Sequence, residues 1–332
     1  MRNHASRTSA APAACSQSMG LFRVAILYSG RWFGPAARHW VDNHVSNLIR
    51  PAQCSGANVS VFVLVTKDQW CAGKEIKRVE EVQAEAQNMW GHAVPVHVTL
   101  TDDLVFPTEA HRSNFSRAVL KAGQAAAVAG GGRAGHASAF ATGQLINFHR
   151  QFGNCVFADR QRQLHGHHDL IIKARIDVQY EHPVDLVPLW QRLSADSTLI
   201  FETETDQDAS RFRPNWREWN IVMAERGMAA LADAVDHIRP LYNDSRRCRG
   251  FCAEEQTVLQ FESRGFHLTP LPWNMTLHRI YMKAPSESDE QLTARLSTVG
   301  SPSFGFDVWT ACHVRGSAQD ILAGPIPSET LA

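Results

Sequence analysis

The sequence predicts an α/β protein with an open, mainly parallel sheet and helices on both faces. Three observations lead there. Apolar runs stand at residues 23–28, 59–65 and 94–100, and that at 59–65 is continuous rather than alternating, as strands covered on both faces are. Stretches with helical spacing separate them, and a β-α-β-α-β order lays successive strands side by side through crossovers. The composition, 44% hydrophobic and 20% charged over 332 residues, holds enough apolar material for a sizeable core.

Arg23 to Tyr28 is a short buried strand closed by a Ser29-Gly30 turn. Gly34-Pro35 opens a helix with Ala37, Trp40, Val41, His44, Val45, Leu48 and Ile49 on its inner face, and Pro51 is expected to stop it. Val59 to Val65 is the second strand, Lys74 to Met89 a helix, and Val94 to Leu100 the third strand. Residues 122–141 are crowded with Ala and Gly and read as a low-complexity mobile insertion. Further on come a helix at 143–152, strands at 169–176 and 197–203, and a long, early-irregular helix at 217–238. A helix at 253–264 ends at Gly265 in a left-handed cap, with a strand at 266–271 and a surface helix at 286–296 after it. One domain over 21–315 is expected, with tails at 1–20 and 316–332.

Charge excludes some classes. Thirty-three basic residues balance thirty-three acidic ones, which gives no support for a nucleic-acid partner. No apolar run approaches the roughly 18 residues of a membrane span. Seven cysteines at irregular spacing do not form a compact disulfide framework; Cys248 and Cys252 read as buried thiols or a loop disulfide. Asn58, Asn114, Asn243 and Asn274 stand in glycosylation sequons. His165-Gly-His167-His168 lacks helical ligand spacing and reads as solvated loop histidines rather than a metal site.

Ligands of open α/β sheets bind beyond the carboxyl ends of strands. Two strand ends carry the chemistry. At Ser29-Gly30-Arg31, Gly30 lets backbone approach a ligand and Arg31 offers a planar fork to a phosphate. At Lys173-Ala-Arg175-Ile-Asp177, alternation places three charges on one face, an expensive arrangement unless partners or a ligand meet them. Two readings stand: an Arg175–Asp177 salt bridge, or a diphosphate site. In the second, Asp177 holds Mg²⁺ or Mn²⁺, the substrate phosphates complete the shell, and Lys173 and Arg175 add positive charge. Asn215-Trp-Arg-Glu-Trp219-Asn220 reads as a loop in which Trp219 stacks on a sugar ring and Asn220 bonds its hydroxyls, or else as core. Glu254 and Glu255 open a helix, where the macrodipole favours carboxylate; either is a candidate base or a favourable helix start.

The order of these motifs resembles one group of GT-A-type nucleotide-diphospho-sugar transferases. Val24 to Arg31, Asn43 to Pro51, Val61 to Leu64, the strand–Arg-x-Asp segment at Arg175-Ile-Asp177 and the acidic opening Glu254-Glu255-Gln256 carry it, over about residues 21–280. The resemblance implies glycosyl transfer from a nucleotide-sugar donor to a glycan or other hydroxyl acceptor. It places Asp177 where the family carries its Asp-x-Asp metal motif, with position 179 as Gln instead of a second acid. It further implies Ser29, Gly30, Arg31, Thr66, Lys173 and Arg175 at the nucleotide, His313 as a late metal ligand beside Asp177, Glu254 or Glu255 as base, and a Golgi or secretory lumen. A non-catalytic nucleotide- or glycan-binding module on the same fold is the alternative, because fold does not fix function.

Overall fold

The computed structural model describes residues 20–30, 38–66, 78–91, 93–101, 113, 152–205, 215–236, 258 and 260–277. The elements are β1 (Phe22–Gly30), α1 (Arg38–His44), a π turn (Val45–Ile49), α2 (Arg50–Cys54), β2 (Ala57–Thr66), α3 (Val79–Trp90) and β3 (Val96–Thr101). They continue with α4 (Asn154–Gln163), β4 (Leu170–Ala174), β5 (Val178–Tyr180), α5 (Val187–Ala195), β6 (Leu199–Thr205), β7 (Asn215–Met223), α6 (Glu225–Asp236), β8 (His267–Pro270) and β9 (Met275–Leu277).

Seven strands form one sheet in the order β3-β2-β1-β4-β7-β6-β8, and β5 pairs with β9 in a small antiparallel sheet. Among the described strands of the large sheet, β7 alone runs against the others. The strands bury both faces, so their apolar residues divide by alternation. Val24, Ile26 and Tyr28 of β1 join a core closed by Trp40, Val41, Leu48 and Ile49, by Val82 and Ala86 of α3 and by Leu189 and Leu193 of α5. Ala25 and Leu27 face the other way, onto Cys155 and Ala158 of α4 and Met228, Leu231 and Val235 of α6. The expected α/β architecture is present: an open, mostly parallel sheet with helices on both faces.

Several expectations need correction. Pro51 does not stop the first helix. It sits in the first turn of α2, which runs on from the π turn to Cys54, and the Asn47 carbonyl four residues before it accepts from Val184 N–H at 2.7 Å in place of a helical partner. The stretch 217–238 is not one helix: β7 occupies Asn215–Met223 and α6 begins at Glu225. Its Ile221-Val222-Met223 run is fully buried between β4 and β6, and short apolar runs fit either period. Trp219 and Asn220 therefore stand on a strand rather than a loop. The charged strand ends at Ala174, and residues 176–177 turn. The cap at Gly265 is as expected: φ is +77°, and Phe266 N–H and Gly265 N–H donate to Phe261 O and Glu262 O, both at 3.0 Å, the two bonds of a Schellman motif. Short β5 and β9 carried no legible period, and helix α5, with Leu186, Leu189 and Leu193 buried at helical spacing, adds to the expected elements. The insertion at 122–141, the helices at 143–151 and 286–296, both tails and Cys248 and Cys252 lie outside the described residues.

Candidate functional site at the β1–β4 switch point

β1 lies between β2 and β4, each parallel to it. The chain moves from β1 to β2 and β3 on one side and later returns to β4 on the other. That reversal makes a crevice at the carboxyl ends of β1 and β4. Ser29 and Gly30 end β1, Thr66 ends β2, and Ala174 of β4 stands opposite Tyr28. Arg175 and the turn carrying Asp177 come directly after, so the structure brings Ser29, Gly30, Thr66, Arg175 and Asp177 to one edge of the sheet. Arg31, Glu254, Glu255 and His313 lie outside the described residues.

Arg175 and Asp177 form a two-pronged ion pair. Arg175 Nε donates to Asp177 Oδ1 at 2.9 Å and Arg175 Nη2 to Oδ2 at 2.8 Å. Parallel bonds of this kind fix orientation as well as charge. The arginine side chain is 29% exposed and the aspartate 10%, so the pair sits at the mouth rather than in the core. Each carboxylate oxygen has a second lone pair. The donor set fits a hard cation held by one carboxylate, as Mg²⁺ is when substrate phosphates and water complete its shell. Among the described residues no three His, Cys, Asp or Glu side chains cluster to hold a metal by themselves.

Lys173 does not share this face. With Ile171 it points to the α4 side, where its Nζ lies 4.9 Å from the Phe152 ring centre and its charge acts on Cys155. Asp177 instead acts electrostatically on His44, on the α1 side. The expected alternation fails because the turn after Ala174 redirects the chain by more than one strand step. Lys173 is 2% exposed and supplies charge from behind the strand, not within the crevice.

Trp219 and Asn220 lie in an irregularity next to this edge. Glu202 pairs with Ile221 but Thr203 pairs with Arg217, so residues 218–220 bulge from β7. Bulges commonly re-aim side chains beside active sites. The Thr203 hydroxyl satisfies the backbone there: it accepts from Asn220 N–H at 3.2 Å and donates to Asn220 O at 3.3 Å. Asn220 is fully buried, opposite Ala174, and its amide donates to Met275 Sδ at 2.8 Å. It ties the large sheet to β9 instead of presenting its amide to a sugar.

Sequence reasoning missed the group that holds the Asp177 turn. The His44 ring meets the Val178 carbonyl through Nε2 at 2.6 Å and the Tyr28 hydroxyl through Nδ1 at 2.5 Å. A carbonyl only accepts, so Nε2 carries the proton and Nδ1 accepts from the Tyr28 O–H. Burial pushes His44 down to about 4, against the opposing pull of the Val178 bond and Asp177; burial also drives the Tyr28 hydroxyl well up. Asn43 of α1 and Asn47 of the π turn add more: Asn43 Oδ1 accepts from Tyr180 N–H at 2.8 Å, and Asn43 Nδ2 and Asn47 Nδ2 both donate to Tyr180 O at 3.0 Å. The only sequence signal was a polar cluster, Asn43-His44 and Asn47, on a helix whose neighbouring positions are apolar.

At the opposite edge of the sheet, His165 and His167 are exposed as expected, but His168 is buried. Its Nδ1–H donates to Gly166 O at 3.0 Å, and burial lowers it to about 4. Cys54 is in a disulfide, whereas Cys155 is a buried free thiol pushed up to about 12 by burial.

No family model matches the chain, and no curated protein matches it. Among solved structures it is similar to the apo form of the glycosyltransferase GlyE of Streptococcus pneumoniae TIGR4, at 6% identity and a TM-score of 0.35, over 75% of this chain and 45% of that one. A second GlyE structure gives 8% identity, a TM-score of 0.33 and coverages of 77% and 46%. The apo form of mouse xyloside xylosyltransferase 1 gives 10% identity, a TM-score of 0.36 and coverages of 75% and 84%. The chain thus spans less than half of GlyE. Likenesses this distant carry no functional argument, and the site's own geometry must.

Proposed function

We propose that the chain is a GT-A-type glycosyltransferase that moves a sugar from a nucleotide-diphosphate donor to a glycan or other hydroxyl acceptor. The observation that carries this reading is the placing of Ser29-Gly30, which end β1, and of the Arg175–Asp177 pair, which follows β4, at the carboxyl ends of adjacent parallel strands. A strand end closed by glycine and a guanidinium oriented by its carboxylate, at a switch point, suit a diphosphate. In glycosyl transfer, negative charge grows on the leaving diphosphate. Arg175 is oriented before the reaction, so it stabilises that charge without reorganising. Asp177 is the residue to hold Mn²⁺ or Mg²⁺, which when bound would neutralise the same phosphates. Arg31 is assigned to the phosphates, His313 to the metal, and Glu254 or Glu255 to the acceptor's proton. These assignments rest on motif order, as does Trp219 against a sugar ring. The disulfide at Cys54 favours an oxidising compartment, in line with a secretory lumen.

A second reading, a binding module without turnover, is favoured by one feature. Both Asp177 oxygens already serve Arg175, and Gln179 stands where a second acid would add a ligand. Hydrolysis of UDP- and GDP-sugars with and without Mn²⁺, on the wild type and Asp177→Ala, separates the two. Mn²⁺-dependent release of sugar that disappears in Asp177→Ala is the expected result. Nucleotide binding without turnover on any acceptor tried supports the module. Metal-independent hydrolysis unchanged in Asp177→Ala rejects the metal assignment.

A further inference from the structure

We infer that His44, locked by Tyr28 and flanked by Asn43 and Asn47, is a positioning residue for Asp177. The inference rests on the diphosphate-site reading of the β1–β4 crevice. Asp177 belongs to the turn closed by Val178 N–H to Arg175 O at 3.4 Å, a long bond that holds it loosely. The groups that fix the turn in space lie beyond it. β5, which begins at the next residue, has one edge paired with β9. Among the described residues no strand lies along its other edge. Instead, three side chains of one helix serve its backbone: His44 takes Val178 O, Asn43 takes Tyr180 N–H and O, and Asn47 takes Tyr180 O again. The helix thereby acts as a third strand made of side chains. Asn47 extends the hold through its own backbone, its carbonyl accepting from Val184 N–H at 2.7 Å.

The proton arrangement gives this bracket direction. Tyr28 lies on β1, two residues before Gly30 and opposite Ala174. Its hydroxyl donates to His44 Nδ1, which leaves Nε2–H to donate to Val178 O. Donor and acceptor roles therefore run in one sequence from β1 through the helix to the carbonyl next to Asp177. The alternative tautomer would set Nε2 lone pair against carbonyl oxygen at 2.6 Å and leave two buried groups unpaired, which is costly. Both halves of the crevice, the β1 end and the Asp177 turn, are thus referenced to one imidazole. Groups that orient a metal-holding carboxylate from behind are worth about ten- to a hundredfold in affinity.

The test uses the full chain and three variants: His44→Ala, His44→Gln, whose side-chain amide can still donate to Val178 O, and Tyr28→Phe. Affinity for UDP with Mn²⁺ is measured by calorimetry, and amide exchange of residues 178–180 is followed in the ligand-free protein. The expected result is an affinity about ten- to a hundredfold lower in His44→Ala, largely restored in His44→Gln and intermediate in Tyr28→Phe. Exchange at 178–180 should rise in the same order while the rest of the sheet stays protected. Equal UDP affinity in the wild type and His44→Ala, with exchange at 178–180 raised, overturns the positioning role and leaves the diphosphate site standing. If the wild type binds no UDP with Mn²⁺, the parent reading falls and takes this role with it. Tyr28→Phe and His44→Gln keep the core filled, so a folding failure of His44→Ala does not remove the comparison.

Discussion

The two ends of β4 carry charge in different ways. At its start, Asp169 accepts from Arg23 N–H at 2.7 Å, and Arg23 reaches on to His165 O at 2.8 Å. Arg162 bonds Asp159 at 2.6 Å and Glu225 at 2.7 Å. Glu225 also accepts from His168 N–H at 3.3 Å, and His167 lies 3.1 Å from it. Burial opposes ionisation of Glu225, but its bonds to Arg162, His167 and His168 prevail and lower it. This cluster knots α4, α6 and β4 together. At the far end, Arg175 and Asp177 hold each other through two parallel bonds, with the arginine 29% exposed and the aspartate 10%. The difference teaches that a network shared among several elements ties the fold together, while a two-residue pair at a switch point leaves the surrounding elements independent of it.

The contrast can be broken or sharpened experimentally. The largest expected effect is on stability at the first end. Arg162 is 3% exposed, and Arg162→Ala leaves the buried Asp159 carboxylate without its cation and with the Gln163 amide alone, so unfolding free energy should fall by about 3 kcal/mol in urea melts, with UDP affinity of the folded fraction unchanged. Asp177→Ala should do the reverse. Donor hydrolysis should drop about a hundredfold or more, with the urea midpoint moved far less than in Arg162→Ala. Loss of stability without loss of hydrolysis at Asp177 would make the two ends alike.

Acid should act at both ends at once. His44 and His168 are each lowered to about 4 by burial, whereas an unfolded histidine titrates near 6.5. Between those values the unfolded chain binds protons that the native protein does not. The stability these groups contribute is fully present above about pH 6.5 and is lost as pH falls towards 4, at about 1.4 kcal/mol per pH unit for each histidine. Urea melts across that range should show the fall, and His44→Gln and His168→Asn should each remove about half of its slope. The smallest effect is at Lys173. Because its ammonium lies on the α4 face, Lys173→Met should leave UDP affinity within about threefold; a larger loss would put Lys173 in the crevice after all.

Much of this was legible in the sequence. Continuous apolar runs at 23–28, 59–65 and 170–172 marked central strands because burial on both faces leaves no room for polar alternation. The strand end after 170–172 was legible only to within a few residues: β4 stops at Ala174, before Asp177. The turn at 176–177 was not legible, since Ile176 continues the apolar pattern that the backbone abandons. Nor was the bulge at 218–220, which showed only as an irregularity in a period read as helical. The His44 bond to Val178 joins residues 134 apart; no local pattern encodes a partner at that distance.

The π turn at Val45–Ile49 has a consequence for inheritance. A π turn is an α-helix carrying one residue more than the regular winding needs. Removing one codon there would restore that winding and swing the helix before it by about 100° relative to the helix after it. Asn43 and His44 would turn away from β5 although neither had been altered. Such a lineage would keep a well-formed sheet and an intact Arg175–Asp177 pair, yet lose the side-chain hold on Val178 and Tyr180. This pentapeptide is where a deletion far from the crevice could retire the protein from its work without unfolding it.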